Sequence, residues 1–217
     1  MKVFVLLVCL ALCLTAAGCS GQTEDGGTKA DPEGSESEVT SGSAGDYTLN
    51  TKVTDVMNDP VFGDYGRLIF PVDRIISENL ELQDVGDILV WYNNVNPDRT
   101  VEIANYLKDQ AASGEQIFYD IYTDEEKAED PEKEDTGLFF FRGDPGAKTA
   151  IVNAGGGFAY VAAMHDSFPH ALELSKMGYN AFALIYRPGA QTACEDLARA
   201  IACLHENAEE LQIDISD

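Results

Sequence analysis

The sequence predicts an α/β fold, because short apolar runs alternate with helical patterns along the second half of the chain. Residues 149–152 form an apolar run typical of a buried strand, a helical pattern covers 167–177, and a second buried strand is predicted at 182–186. A final helix carries its apolar residues on one face: Leu197, Ile201, Leu204, Ala208 and Leu211. This order favours a parallel sheet with crossover helices.

The ends of these two helices are predicted from capping residues. Thr192, followed three residues later by Glu195, has the pattern of a capping box for the final helix. Asp166 and Ser167 are predicted to cap the preceding helix, and Gly178 is predicted to end it.

Two further strands are predicted before this parallel pair. Residues 117–122 alternate between apolar and polar side chains, and residues 137–142 form a second apolar run. The acidic block 124–135 joins them, and we expect a hairpin with a long solvated loop. The block lacks the ligand spacing of a calcium loop.

The preceding residues, 47–115, are interpreted as an N-terminal extension that packs on the sheet. Residues 67–70 and 88–92 have the composition of strands or buried segments, and 98–112 has helical periodicity. Trp91 is expected in the core, with a position beside a sugar-binding cleft as the alternative.

The first residues resemble the leader of a bacterial lipoprotein. Residues 1–18 form a signal peptide with a short apolar stretch, and small residues precede Cys19 as in a lipobox. The resemblance implies that Cys19 is lipidated and anchors the protein to the extracytoplasmic face of the cell membrane. An ordinary signal peptide is the alternative. Residues 19–46 are predicted to be a disordered, acidic Gly/Ser linker.

Charge and cysteine content exclude several classes of protein. The 217 residues include 14 Lys and Arg against 38 Asp and Glu, for a formal net charge of −24. Nucleic acid is therefore excluded as a partner. Cys194 and Cys203 lie nine positions apart on one predicted helix, so they cannot bridge each other. No Cys/His cluster has metal-ligand spacing, and we predict neither a metal nor a cofactor.

A run of three glycines at the end of the strand 149–152 is the most informative motif. Glycine there costs backbone entropy and lets the main chain approach a ligand with its N–H groups exposed. Gly155, Gly156, Gly157 and Phe158 resemble the His-Gly-Gly-Gly oxyanion motif of α/β-hydrolase esterases. The resemblance extends over 116–217 and is strongest to secreted acetylxylan and other carbohydrate esterases.

This resemblance implies a fold, a reaction and a site. The fold is the N-terminal portion of an α/β-hydrolase sheet, with two antiparallel strands followed by parallel strands and crossover helices. The reaction is hydrolysis of a small ester or acetylated carbohydrate, with the four residues from Gly155 to Phe158 as the oxyanion hole. Ala154 replaces the usual histidine, so the side-chain support of the glycine loop is either absent or supplied by another residue, for which Asn153 is the candidate. Asn153, Tyr160 and His165 are candidate cleft residues.

The nucleophile that this reaction requires is not predicted within the chain. The sequence contains no Gly-x-Ser-x-Gly and reaches 213–217 where the family's fifth strand begins. We therefore expect 116–217 to be a partial hydrolase domain, inactive and poorly stable alone. His165, Asp166 and Ser167 include all three residue types of a triad, but adjacent side chains cannot converge as a triad requires.

Two other functions remain open. Gly155 and Gly157 after a strand resemble part of a dinucleotide fingerprint, but Tyr160 replaces its third glycine and Arg187 stands where an acidic residue is needed. A non-catalytic surface lipoprotein, related to hydrolases and binding glycans or partners, is equally compatible with the missing nucleophile.

Overall fold

A four-stranded mixed sheet is the central element of the computed structural model, which describes residues 45–89, 91 and 94–216. The strands lie in the order β1-β2-β4-β3. Their bounds are β1 (Phe118–Tyr119), β2 (Gly137–Phe141), β3 (Thr149–Asn153) and β4 (Asn180–Ile185). β1, β2 and β4 pair antiparallel, whereas β3 and β4 are parallel. The predicted α/β arrangement, in which antiparallel strands precede a parallel pair, is confirmed.

The helices lie mainly between and after these strands. They are α1 (Val53–Met57), α2 (Pro97–Ala112), α3 (Asp124–Glu129), α4 (Ser167–Lys176) and α5 (Ala190–Glu206). α4 is the crossover between β3 and β4 and packs on both strands. β4 is buried along its whole length, because it has a strand on each side and helices against it. The predicted helices 98–112 and 167–177 are confirmed within a residue of their observed ends.

The outer side of β3 is covered only at its beginning. Thr149 N–H donates to Asp214 O (3.1 Å), and Asp214 N–H donates to Ala147 O (2.9 Å). These two bonds form a parallel bridge between Lys148 and Asp214. β3 is accordingly half-buried, with exposed Asn153 at its end.

The start of α5 differs from the predicted capping box. The helix begins at Ala190, directly after Gly189, whose φ of 104° turns the chain. Thr192 therefore lies inside the first turn, and its hydroxyl donates to Pro188 O (2.5 Å). The box prediction is wrong because the glycine turn lets the helix begin three residues earlier, with Gly189 rather than Thr192 at the N-cap.

A capping box occurs instead in the acidic block, where a loop was predicted. Glu126 N–H donates to Thr123 Oγ1 (3.2 Å), and Thr123 N–H donates to Glu126 Oε2 (2.8 Å). These bonds start α3, and a 3-10 helix, Pro131–Asp135, follows it. Thr123 and Glu126 have the Thr-x-x-Glu spacing of a capping box, so the signal for this helix start is present in the sequence.

The strand alternative for 67–70 and 88–92 is not formed in the described residues, and the alternative of a buried segment is confirmed for residues 68–70 and 89. Pro60–Leu68 and Leu82–Asp87 are 3-10 helices. Their apolar residues reflect burial rather than strand pairing. Trp91 is 84% exposed, so its expected place in the core is wrong.

One hydrophobic core joins the residues of the N-terminal extension to those of the sheet. Tyr106 of α2 stacks on Phe141 of β2, with ring centroids 5.5 Å apart. Phe140 and Phe182 stack across β2 and β4 at 4.1 Å. Aromatic pairs in these geometries contribute beyond their buried area.

A buried ionic network fixes the end of β4. Asp196 of α5 is fully buried and accepts hydrogen bonds from Arg187 N (2.7 Å), Arg187 Nη2 (2.7 Å) and Tyr122 OH (2.6 Å). Arg187 Nη1 also donates to Asp130 of the acidic block (2.7 Å). Burial and the bond to Asp196 raise the pKa of Tyr122 to about 12, so the phenol stays a donor at neutral pH. The network connects β4, α5 and the acidic block.

Replacing Asp196 tests how much this network contributes to the free energy of unfolding. Asp196→Ala leaves the Arg187 guanidinium buried without its main partner, and we expect a loss of about 3–5 kcal/mol in the free energy of unfolding. Glu195→Ala is the control, because this exposed neighbour lies 3.9 Å from Arg187, and its loss is expected to cost under about 1 kcal/mol. Urea denaturation measures both. Equal effects of the two substitutions would contradict a structural role for the network.

Candidate functional site

The three glycines form a tight loop at the carboxyl end of β3. φ is 149° at Gly156, 60° at Gly157 and 62° at Phe158. Three successive residues with positive φ reverse the chain sharply. Phe158 is a non-glycine residue in the left-handed region, and half of its surface is exposed. The carboxyl ends of parallel strands are where open α/β sheets bind ligands.

Two of the glycines are required for different reasons. A Cβ on Gly156 would lie 1.9 Å from the carbonyl oxygen of Tyr160, which is backbone and has no freedom to turn aside. A Cβ on Gly157 would meet no atom within 4 Å, so only its φ favours glycine. Packing therefore requires glycine at position 156, whereas the backbone conformation favours glycine at position 157.

Hydrogen bonds hold the loop at both ends. Gly155 N–H donates to Asp166 Oδ2 (2.6 Å), and Ala162 N–H donates to Gly155 O (3.1 Å). At the other end, Gly189 N–H donates to Phe158 O (2.7 Å). The loop is thus fixed to the start of α4 on one side and to the start of α5 on the other.

The N–H groups in the middle of the loop make no hydrogen bond with a described residue. Among the described residues, none accepts a hydrogen bond from the N–H groups of Gly156, Gly157 or Phe158. Gly157 and Phe158 are exposed and Gly156 is half-buried. Of the four predicted oxyanion donors, Gly155 is engaged within the protein, and the other three are available to a ligand.

The expected support from Asn153 is not formed. Asn153 is exposed, and its side chain makes no hydrogen bond with a described residue. Tyr186 instead donates its hydroxyl to Ala154 O (2.6 Å), at the position where the resemblance places histidine. A tyrosine from the end of β4 and the Asp166 carboxylate therefore support the loop. No spacing pattern in the sequence indicates that Tyr186 or Asp166 contacts the glycine loop.

A cavity of about 350 Å³ lies beside the loop. Its walls are Leu68, 70–73, Glu132, Asp135, Tyr160, Val161 and 185–188. Tyr160, a predicted cleft residue, lines it, whereas Asn153, His165 and the three glycines do not. The residues that line the cavity are mainly apolar, with acidic residues, tyrosines and Arg187 among them, which is typical of small-molecule sites.

His165, Asp166 and Ser167 face different surroundings, as expected of adjacent residues. His165 is 8% exposed, and its Nε2 lies 3.0 Å from Val85 O in the N-terminal extension. Burial lowers the pKa of His165, which favours the neutral ring. Asp166 occupies the N-cap position of α4 without a capping hydrogen bond, because its carboxylate bonds to the glycine loop.

Neither a metal centre nor a nucleophile–base pair is present in the described part of the chain. No group of three His, Cys, Asp or Glu residues there could hold a metal ion. No serine or cysteine described by the structure is hydrogen-bonded to a histidine. Cys194 and Cys203 are free thiols.

The comparison with solved structures gives partial similarity, whereas the other two comparisons give none. No family model and no curated protein matches the chain. Among solved structures, it is similar to an acetyl ester-xyloside bifunctional hydrolase from Caldicellulosiruptor lactoaceticus, with 25% identity and a TM-score of 0.40. The match covers 45% of this chain and 38% of that one, so it spans less than half of either protein.

Alanine substitutions at two neighbouring glycines test the loop geometry. Gly157→Ala places a side chain in the left-handed region and is expected to cost about 1–2 kcal/mol of unfolding free energy. Gly156→Ala adds the clash with Tyr160 O, so we expect a further loss of about 1–3 kcal/mol. Thermal or urea denaturation of the two variants measures the difference. A Gly156→Ala protein as stable as Gly157→Ala would show that the loop does not adopt this conformation.

Proposed function

We propose that this chain carries the oxyanion-binding part of a serine hydrolase that acts on carboxylic esters, with acetylated carbohydrates as the favoured substrate class. The observation that carries the proposal is the set of three unengaged amides, from Gly156 to Phe158, at the carboxyl end of β3. The lack of a described acceptor for their N–H groups distinguishes them from Gly155, whose amide is already bonded to Asp166.

These amides suit the chemistry of acyl transfer. Attack on an ester carbonyl places negative charge on its oxygen, and preorganised N–H donors stabilise that charge without reorganisation. One such donor contributes about 10²–10³ in rate. The reaction also needs a nucleophile and a histidine base, and no serine or cysteine among the described residues is hydrogen-bonded to a histidine.

The cavity beside the loop supports the proposal that the substrate is small. Its walls are largely apolar, and its volume of about 350 Å³ falls within the range of small-ligand sites. Tyr160 belongs both to the glycine loop region and to the cavity wall. The cavity is therefore our candidate for the pocket that receives a group attached to the reacting carbonyl.

We also propose that the protein is anchored through lipid on Cys19 at the extracytoplasmic face of the membrane. The small residues before Cys19 and the acidic linker after it support this proposal. Residues 1–18, Cys19 and the linker up to residue 44 lie outside the described residues. Within the described residues, no helix has both the length and the apolar character needed to span a bilayer.

The second candidate function is a non-catalytic surface protein that binds glycans or partners. It is favoured by the lack, among the described residues, of a serine hydrogen-bonded to a histidine. In this case the cavity would bind a ligand while the loop amides had no role.

An NMR titration with methylphosphonate, a tetrahedral anion, separates the two functions. At about 0.15 M salt the Debye length of about 8 Å screens most of the protein's negative charge. We expect saturable shifts of the amide signals of Gly156, Gly157 and Phe158, whereas Gly155 is the internal control because Asp166 occupies its N–H. The neutral dimethyl ester of methylphosphonate should have no effect.

The opposite pattern would reject the hydrolase proposal. If methylphosphonate leaves all loop amides unchanged while a neutral sugar shifts the signals of cavity residues such as Val161 and Ile185, the chain is a binding protein.

A further inference from the structure

We infer that Asp166 is the positioning residue of the oxyanion loop, taking the place of the histidine that this chain lacks. This inference rests on the proposed function. It concerns a residue that would touch neither the substrate nor the nucleophile, and that would act by fixing Gly155 so that the next three amides stay available to a ligand.

The first observation is that the Asp166 side chain does not cap α4, although Asp166 stands at the N-cap position. It is the N-cap residue of α4, where an aspartate normally accepts a hydrogen bond from a helix amide. Its side chain makes no capping bond. Its Oδ2 instead lies 2.6 Å from Gly155 N, the length of a charge-assisted hydrogen bond. The carboxylate therefore accepts a hydrogen bond from the loop instead of from an amide of the helix.

The second observation is that the bond to Asp166 holds the residue directly before the turn of the loop. Gly155 is the last residue before the positive-φ turn, so its orientation sets the direction of the following peptide groups. Glycine runs have the largest conformational freedom of any sequence. Gly155 O is also held, by Ala162 N–H (3.1 Å). With both polar groups of Gly155 bonded, the loop starts from a fixed peptide.

The third observation concerns the charge of the carboxylate, which would otherwise oppose an oxyanion nearby. Gly155 N–H occupies Oδ2, and Oδ1 lies 3.5 Å from His170 Nδ1. His170 Nδ1 also lies 2.7 Å from Asp166 O. Both carboxylate oxygens therefore lie near nitrogen atoms of the protein, while the amides of Gly156, Gly157 and Phe158 donate to no described acceptor.

The experiment compares two substitutions of Asp166 in the full chain with a control. Asp166→Ala removes the acceptor, and Asp166→Asn retains an oxygen without the charge. Asp109→Ala is the control, because this exposed residue of α2 makes no side-chain bond with a described residue. Hydrogen exchange of Gly155 and the methylphosphonate-induced shifts of the loop amides are measured in each.

We expect Asp166→Ala to speed Gly155 exchange about tenfold, the ratio that corresponds to about 1.4 kcal/mol for a charge-assisted bond, and to abolish the saturable shifts of Gly156 to Phe158. Asp166→Asn should restore most of both properties. Asp109→Ala should resemble the wild-type chain. Rescue by asparagine separates positioning from a general loss of stability, which far-UV circular dichroism monitors.

Two results would overturn the inference, and they are distinguishable. If wild type binds methylphosphonate and Asp166→Ala binds it equally well, Asp166 has no positioning role although the proposed function stands. If wild type shows no saturable shift while Gly155 exchange still depends on Asp166, the proposed function fails and Asp166 is a structural residue only.

Discussion

The hydrogen bond from Gly155 N–H to the Asp166 carboxylate determines how the chain leaves β3. Without a fixed Gly155, the two glycines that follow would have no preferred direction, because glycine has little intrinsic preference between positive and negative φ. With it, and with Phe158 O held by Gly189 N–H, the loop has two fixed ends and an open middle. The three amides without a described acceptor are a consequence of these two attachments.

The second attachment depends on the ionic network at the end of β4. Gly189 follows Arg187 by two residues, and Arg187 is bonded to buried Asp196 of α5. Because Gly189 is also the N-cap of α5, the network sets the position of the amide that bonds to Phe158 O. A buried ion pair contributes little net stability when complete, but losing one partner is costly. In this protein the main effect of the ion pair is to fix the position of Gly189, and through it the end of the loop.

The fold class was predictable from the sequence because it depends on local apolar periodicity. The strands at 149–152 and 182–186 and the helix at 98–112 were found with small errors at their ends. One prediction failed where tertiary contacts decide, because Trp91 is exposed although a core position was expected. Residues 68–70 are buried without forming a strand, so one of their two predicted alternatives holds. Apolar composition reports burial more reliably than backbone conformation.

The site was only partly predictable, for a related reason. Three consecutive glycines identify the loop, since few other sequences allow its φ values. The contacts of Asp166 and Tyr186 with the loop could not be predicted, because they depend on how α4 and β4 pack beside β3. Asp166 was interpreted as a helix cap, which is its correct position but not the role of its side chain.

The central claim is that the loop is held at its ends and open in its middle, and amide hydrogen exchange of the unmodified chain tests it most directly. Protection requires an intramolecular acceptor or burial. Gly155 and Gly189 are expected to exchange slowly, whereas Gly157 and Phe158 should exchange close to the rates of an unprotected peptide. Protection of all four amides to a similar degree would mean that the middle of the loop is already bonded, and would contradict the account.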